Sequence, residues 1–361
     1  EYLTLSLDPH THSVFSDGHV WPTIRVEEAL RDGLDAIAIT EHLEYQPHHQ
    51  DIPHDDRNRS WEHANASVKG DEILVVHGSE ITRSQPVGHL NAIFLSDSNA
   101  LLNKPTNIAN EDNEAYRKAV RNWPAEKALA AAAEQNAFVF LNHLDWTSQQ
   151  PSGIAKLTEF HLQMIDQGLI HGVEVANTHN YSEHSFAIAL EHNLAILGSS
   201  DIHGLIDWDY PPEKGIHRPV TLVLAEDRTQ QGLLNALVAR RSVAWHNNLL
   251  LGREAHVRPI VEASISIRSA HYLGKTQVLS VQIHNNSDAR YLLFNDSDYT
   301  FTRHGEVIEL TPQKTTTIEI RTGTRLEKFE LPTSVLNVLV EPKTPLQFVL
   351  SVPVSEPLST D

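Results

Sequence analysis

The chain contains no cysteine. That removes disulfides, thiolate metal ligands and a cysteine nucleophile, and leaves any metal site to nitrogen and oxygen donors. It leaves oxidising and reducing compartments equally open. No apolar run approaches the length of a membrane-spanning helix, so a soluble globular chain is expected, with no membrane partner. Cations are scarce: 28 Lys and Arg face 47 Asp and Glu, a formal net charge of -19. Polyanion binding draws its affinity from Lys and Arg that neutralise phosphates, so nucleic acid is not expected as a partner. An initiator Met is lacking too, and Glu1 in its place suggests removal of a preceding segment by processing or design.

What is present is enough for a large core. The 361 residues, 40% hydrophobic and 21% charged, read as two domains. Of the 23 histidines, 19 fall at or before His246, which concentrates nitrogen ligands in the first two-thirds of the chain. There, strand-like runs alternate with helix-like ones. Strands are expected at Leu3 to Leu7, Leu34 to Thr40, Ile73 to Ser79, Leu90 to Leu95, Ala137 to Leu141, Val173 to Ala176 and Leu194 to Gly198, with one more at Pro219 to Ala225. Helices are expected from Trp21-Pro22-Thr23 to a stop at Gly33, which follows Arg31 and Asp32, from Pro124 to about Gln135, from Ile154 to Gln167, from Glu183 to His192 and from Thr229 to Arg241, with Pro22 at or just ahead of the first turn of the first. The polar intervals Leu43 to Asp71 and Ser96 to Asn122 are too long for plain connections and read as insertions at a functional rim. Such a βα repeat implies largely parallel strands with helices outside. From about His256 short alternating runs replace it, among them Ala263 to Ile267, Val278 to Ile283 and Thr316 to Ile320, which suggest a small antiparallel sandwich over 256–361.

The chemistry-bearing stretch is Asp8-Pro9-His10-Thr11-His12, followed by Asp17. Two histidines at i, i+2 on an extended segment share a face, so both imidazoles can reach one ion. Three later segments end apolar runs in the same way: Thr40-Glu41-His42, Gly78-Ser79-Glu80 and Ser200-Asp201-Ile202-His203. With single histidines at His89 and His143, these ligand types come from several strand ends, where a (β/α) barrel gathers its site. His89 precedes its strand; a hairpin through Pro86-Val87-Gly88 would return it to the same rim.

This ordered set resembles the PHP (polymerase and histidinol phosphatase) family over roughly residues 1–255. The resemblance implies a distorted (β/α)7 barrel, followed here by the C-terminal sandwich. It also implies two to three divalent ions, of Mn, Zn or Fe, in three ligand sets: His10, His12, Glu80 and Asp201; Asp17, His42 and His203; and His89 and His143 with Glu80 bridging. Two positions depart from the usual pattern, Glu41 where Asp is commoner and Asp17 where some members have His; neither removes a ligand. Asp8 is expected as a hydrogen-bond partner of the His10 and His12 rings.

Three divalent ions against the charges of Asp17, Glu80 and Asp201 leave a positive site that attracts an anion. The implied activity is hydrolysis of a small phosphate ester by attack of a metal-bridging hydroxide, with Glu80 and Asp201 at the reacting centre. Arg83 and Arg218 are candidate phosphate donors and His179 a candidate general acid, with His217, Arg57 and Arg59 behind them. Tyr45, Trp61, Trp146 and Trp208 fall in rim segments and could wall a diester, which favours a phosphodiesterase over a phosphomonoesterase. The stretches Trp21-Pro22, Glu80-Ile81-Thr82-Arg83 and Gly88 to Leu95 are similar to those of exported bacterial PHP phosphodiesterases, which leans the location to periplasmic or secreted. An amidohydrolase would finish on a lone Asp rather than Asp201-Ile202-His203. A non-catalytic PHP module would lack ligands, whereas all nine positions here hold one.

Overall fold

A computed structural model describes residues 2–103 and 113–354. The chain divides into two compact units, Glu1–Asn247 and Asn248–Asp361. The division falls eight residues ahead of the 255/256 boundary read from the sequence. The reason is that Leu249–Gly252, which follows it, pairs in parallel with a strand of the second unit, Leu250 opposite Val338. Among the described residues no helix is long and apolar enough to cross a membrane.

The first unit is a distorted barrel. Its strands are β1 (Leu3–Asp8), β2 (Ala36–Ile39), β3 (Leu74–Thr82), β4 (His89–Ile93), β5 (Phe138–Leu141), β6 (Gly172–Asn177), the two-residue β7 (Asn180–Tyr181), β8 (Ala195–Ser199), β9 (Val220–Ala225) and β10 (Ser242–His246). β1, β2 and β3 run parallel, as do β5, β6 and β8. β4 is reversed between the two sets, antiparallel to β3 and to β5, with Thr82 opposite His89. That is the hairpin expected from Pro86-Val87-Gly88, and it returns His89 to the strand end that carries Glu80. β9 and β10 form an antiparallel ribbon laid on β1. Closure uses side chains: Gly198 N donates to Thr221 Oγ1 (3.0 Å), Thr221 Oγ1 donates back to Gly198 O (2.8 Å), and Ile196 N donates to Ser242 Oγ (3.1 Å).

Alternation decides what fills the barrel. Leu5, Leu7, Ala36, Ala38, Val76, Phe138, Phe140, Leu197 and Val223 form one buried core, joined by Leu233, Ala236 and Leu237 from the helix α8 (Gln230–Val238). Each buried Leu or Phe contributes roughly 1.5–3 kcal/mol. The other helices are α1 (Pro22–Arg31), α2 (Arg59–Ala66), α3 (Asn113–Arg121), α4 (Ala125–Glu134), α5 (Glu159–Asp166), α6 (Glu183–Glu191) and the single turn α7 (Ile206–Asp209). Both polar insertions contain helix, α2 in the first and α3 in the second. The helix expected from Ile154 starts at Glu159, because Thr158 and His161 form a reciprocal capping box that fixes its first turn.

The second unit is the small antiparallel sandwich. One sheet runs β12 (Ile265–Tyr272), β13 (Val278–Asn285), β17 (Thr315–Arg321), β15 (Thr300–Phe301). The other contains β16 (Val307–Leu310), β14 (Tyr291–Asn295), β18 (Lys328–Glu341) and β19 (Thr344–Pro353), with β11 (Leu249–Gly252) on β18. Between β11 and β12, Ala263 and Ser264 close a helix, α9 (Glu254–Ser264), instead of opening the expected strand. Val257, Val261 and Ser264 are its buried residues, at helical spacing, and the internal Pro259 obscures the pattern.

Gly198 tests the closure. A Cβ there would lie 2.7 Å from the Val220 carbonyl oxygen, so Gly198→Ala must push β8 away from β9. We expect a loss of about 1–3 kcal/mol in urea unfolding; an unchanged midpoint would show that this seam is loose.

Candidate metal centre

Six strand ends deliver the nine ligand candidates to one cleft. His10 and His12 follow β1, with Asp17 in the same loop; His42 follows β2; Glu80 lies in β3; His89 opens β4; His143 follows β5; Asp201 and His203 follow β8. The loops are laced together by backbone hydrogen bonds, Asp201 N to His10 O (2.9 Å), His12 N to Ile202 O (3.1 Å) and Glu80 N to Glu41 O (2.9 Å). Gly18 permits the tight return after Asp17, since a Cβ there would meet the backbone of His12 and Ser13 at 2.7 Å. Two of the residues, His143 and Asp201, have φ of 28° and 50°, backbone that non-glycine residues adopt at some cost and that collects at functional sites.

Three groups of donor atoms result: His12, Asp17, His42 and His203; His10, His12 and Asp201; Glu80, His89 and His143. They share members. His10 Nε2 is 3.2 Å from Glu80 Oε2 and 3.1 Å from Asp201 Oδ1, and His12 Nε2 is 3.2 Å from each of the same atoms. Asp17 Oδ1 sits 3.3 Å from His42 Nε2 and 3.1 Å from His203 Nε2. The second oxygen of Glu80 faces His89 Nδ1 at 2.6 Å, and that of Asp201 faces His143 Nε2 at 3.9 Å. Glu80 thus spans two groups, and His12 joins the set of Asp17 as well as that of His10.

The hydrogen-bond network around the rings fixes which nitrogen faces inward. His10 Nδ1 donates to Glu174 Oε1 (2.7 Å), His42 Nδ1 to Thr82 Oγ1 (2.6 Å), His203 Nδ1 to the Asp201 carbonyl (2.8 Å) and His12 Nδ1 to Ser16 Oγ (3.3 Å). Ser16 Oγ is itself committed as a donor to Glu41, so it accepts from the ring. With Nδ1 protonated in each, four Nε2 lone pairs and the oxygens of three carboxylates converge on one buried space. Such a set repels itself unless cations lie among it. Asp17 Oδ1, Glu80 Oε1 and His89 Nδ1 are buried and, apart from the other ligand candidates that face them, have no hydrogen-bond partner among the described residues. Imidazole and carboxylate donors without thiolate suit borderline divalent ions, so the residues fit the metals expected from the sequence. The local field agrees. Burial opposes charge on His42, and Glu80 and Asp17 override it and raise its pKa to about 9. Burial likewise disfavours an ionised Asp17, yet the His203 and His42 rings that face it hold its carboxyl far below the usual range.

The partner expected at Asp8 is Glu174 instead. Asp8 is turned to Ser200, whose N and Oγ donate to it at 3.1 and 2.6 Å, and to Arg218 at 3.2 Å. Glu174 is fully engaged: besides His10 it accepts from His143 N (2.7 Å), Asn177 Nδ2 (2.9 Å) and Ser199 Oγ (2.6 Å). Its signal was a lone acid inside the apolar run Gly172-Val173-Glu174-Val175. Arg25 was also missed. Its wholly buried guanidinium donates to the carbonyls of His12 (2.7 Å) and His203 (2.8 Å) and to Glu28 (2.7 Å), tying the first ligand loop to the last.

The nominated cations do not reach the cleft. Arg218 is buried between Asp8 and Asp32 (3.2 and 2.7 Å) and Arg83 is paired with Glu44. Arg57 donates to the carbonyls of Leu43 and His54, and Arg59 lies over the Phe15 ring. His217 bonds the carbonyls of Arg218 and Asn247. His179 packs on Tyr210, ring centroids 5.0 Å apart, and is not among the residues that line the cleft. Of the aromatics, Trp146 lines it, 5.4 Å from His89 and 5.3 Å from His143. Trp61 instead stacks on His77, and Trp208 is 68% exposed. Asp145, not singled out from the sequence, lines the cleft beside Trp146.

Glu174→Gln keeps the shape but gives His10 a poorer acceptor. Divalent-ion affinity, measured by chelator competition, should fall about 10- to 100-fold with the circular dichroism unchanged; an unaltered affinity would reduce Glu174 to a packing role.

A two-domain protein from Bacteroides vulgatus, described as containing a predicted PHP-like metal-dependent phosphoesterase, is 39% identical over 97% of this chain and 96% of its own, with a TM-score of 0.85. A metal-dependent phosphoesterase, so described, from Bifidobacterium adolescentis is 19% identical over 66% of this chain and 98% of its own, at a TM-score of 0.42. A lesion-specific endonuclease from Pyrococcus furiosus is 16% identical over 66% of this chain and 56% of its own, at 0.39. These last two are too remote to carry an argument. Residues 265–351 match a sequence family described as an Ig-like domain, which is the sandwich. No curated protein matches. On near-complete coverage at 39% identity, and on the motifs that build the cleft, the chain belongs to the two-domain proteins with a PHP-like metal-dependent phosphoesterase domain.

Proposed function

We propose that the protein hydrolyses small phosphodiesters at a centre of two to three divalent ions. The observation that supports this reading best is the sharing of Glu80 and His12 among three donor groups around one cleft. His10, His12, Glu80 and Asp201 would hold one ion; Asp17, His42 and His203, beside His12, a second; Glu80, His89 and His143 a third. When bound, the ions supply Lewis-acid polarisation of phosphoryl oxygens and acidify water. The chain's own residues supply geometry: Glu174, Thr82, Ser16 and the Asp201 carbonyl hold the rings of His10, His42, His12 and His203 in place, and Arg25 keeps the two ligand loops at a fixed separation.

The diester preference rests on what lines the cleft. It has a volume of about 390 Å³, and its lining includes Asp145, Trp146, Asn177 and Thr178 but no Lys or Arg among the described residues. A monoester dianion gains most from cationic side chains, whereas a diester is a monoanion with a second substituent to accommodate. Trp146, 44% exposed beside His89 and His143, offers that substituent an apolar wall. The overall charge of -19 supports a small substrate over a polynucleotide.

Protein purified without chelator should carry two to three divalent ions per chain by elemental analysis. His10→Ala and Asp201→Ala should each lose at least one and lower kcat/KM by on the order of a thousandfold; full metal content together with full rate in either variant would refute the ligand sets.

At equal metal occupancy, bis(4-nitrophenyl) phosphate should be turned over with a higher kcat/KM than 4-nitrophenyl phosphate. Trp146→Ala should narrow that gap, mainly through KM. A clear preference for the monoester would overturn the diester reading and leave the phosphoesterase one standing.

A further inference from the structure

Outside the cleft, a second cavity of about 590 Å³ is lined by Glu114, Arg117, Lys118, Arg121 and Asn122 of α3 and the turn after it. Burial is the chief cause of the lowered pKa of Arg121, which also feels the charges of Arg117, of Glu44 in the opposite sense, and of Arg83; Arg83 Nη2 donates to the Trp123 carbonyl (3.3 Å), two residues beyond Arg121. Three guanidiniums and an ammonium therefore crowd one place in a chain that carries 19 more acids than bases. Glu44 pairs with Arg83, but no carboxylate among the described residues lies within ion-pair distance of Arg117, Lys118 or Arg121. The Nε atoms of Arg83, Arg117 and Arg121 are buried and have no hydrogen-bond partner among the described residues, and Arg83 as a whole is only 5% exposed. Such a cluster stores like-charge repulsion; the fork of Arg83 is held by Glu44 and the Trp123 carbonyl, and the donors left for a tetrahedral or planar anion are chiefly those of Arg117, Lys118 and Arg121.

The cluster adjoins the metal centre. Thr82, whose hydroxyl fixes the His42 ring, immediately precedes Arg83. The Tyr45 ring lies 6.2 Å from that of His42 and carries the Arg117 guanidinium 4.2 Å from its centroid, which puts Arg117 within about 10 Å of His42. A substrate whose ester phosphorus sits at the metals can reach it with a short substituent. We propose that Arg83, Arg117, Lys118 and Arg121 form a second anion site, which binds a phosphate or carboxylate borne on the substrate's ester substituent. This rests on the phosphoesterase reading and narrows its substrate class to esters with a second anionic group.

The test uses the full chain, metal-loaded, with two probes: 4-nitrophenyl hexyl phosphate and 4-nitrophenyl 6-phosphonohexyl phosphate. The wild type should favour the phosphonate-bearing ester by about tenfold or more in kcat/KM, chiefly through KM, and the gain should shrink with added salt. Arg117→Gln with Arg121→Gln should abolish the gain and leave the hexyl ester within twofold. Arg117→Lys with Arg121→Lys should keep most of it. No preference in the wild type, or a preference that survives the double glutamine variant, would overturn the site. If neither ester is hydrolysed, the phosphoesterase reading falls by itself, and calorimetric titration with hexane-1,6-bisphosphonate decides the site: tenfold weaker binding to the double glutamine variant supports it, equal binding removes it. Tighter binding of a single-stranded oligonucleotide than of the bisphosphonate would assign the cluster to a nucleic-acid groove and overturn the small-anion proposal.

Discussion

The centre is organised by a charge problem. Four imidazole lone pairs and three carboxylates point into one buried space, with two Nε2 atoms, those of His10 and His12, only 3.0 Å apart. Acceptors at that distance in a poorly solvated space repel each other by an amount no packing contact could offset. Cations resolve it, and everything around the cleft is arranged to hold the acceptors in position while they do. Glu174, Thr82, Ser16 and a main-chain carbonyl fix the tautomers. Glu41 in turn fixes Ser13 and Ser16, so the position that departs from the commoner Asp serves the loop rather than the ion.

The barrel answers the geometric half of the problem. Parallel strands bring their C-terminal ends to one rim, but parallel pairing alone would leave His89 at the wrong end of β4. Reversing β4 between β3 and β5 returns it to Glu80. The seam between β8 and β9, made by Gly198 and Thr221, lets the segment after Ser199 cross to β1, where Asp201 N meets the His10 carbonyl and Asp8 holds Ser200. Distortion of the barrel and assembly of the ligand set are the same structural event.

Cations elsewhere are sorted by role. Arg25 and Arg218 are buried struts that satisfy main-chain carbonyls and carboxylates behind the ligand loops. On α3, Arg117 and Arg121 keep buried Nε donors with no hydrogen-bond partner among the described residues. The cleft itself has no Lys or Arg among its described lining. On the proposed function, anion attraction in the cleft would fall to the ions, and a further charge on a ligand would find its partner outside it.

The sequence by itself determined the ligand types, their order and the strand ends that carry them, because His-x-His, Gly-x-Glu and Asp-x-His are local patterns whose periodicity sets which face a side chain takes. It also determined the βα alternation, the reversal at Pro86-Val87-Gly88 and the change to an antiparallel sandwich. Only the tertiary structure decided the partners. A lone Glu174 in a strand gives no local hint that it faces His10, 164 residues away, and Asp8, two residues from His10, is the nearer guess. Arg83 and Arg218 read as phosphate donors until their carboxylates, Glu44, Asp8 and Asp32, are seen beside them. Ligand identity is written in the periodicity of short segments, whereas the pairing of a buried charge depends on which distant segment folds against it, and no spacing along the chain encodes that.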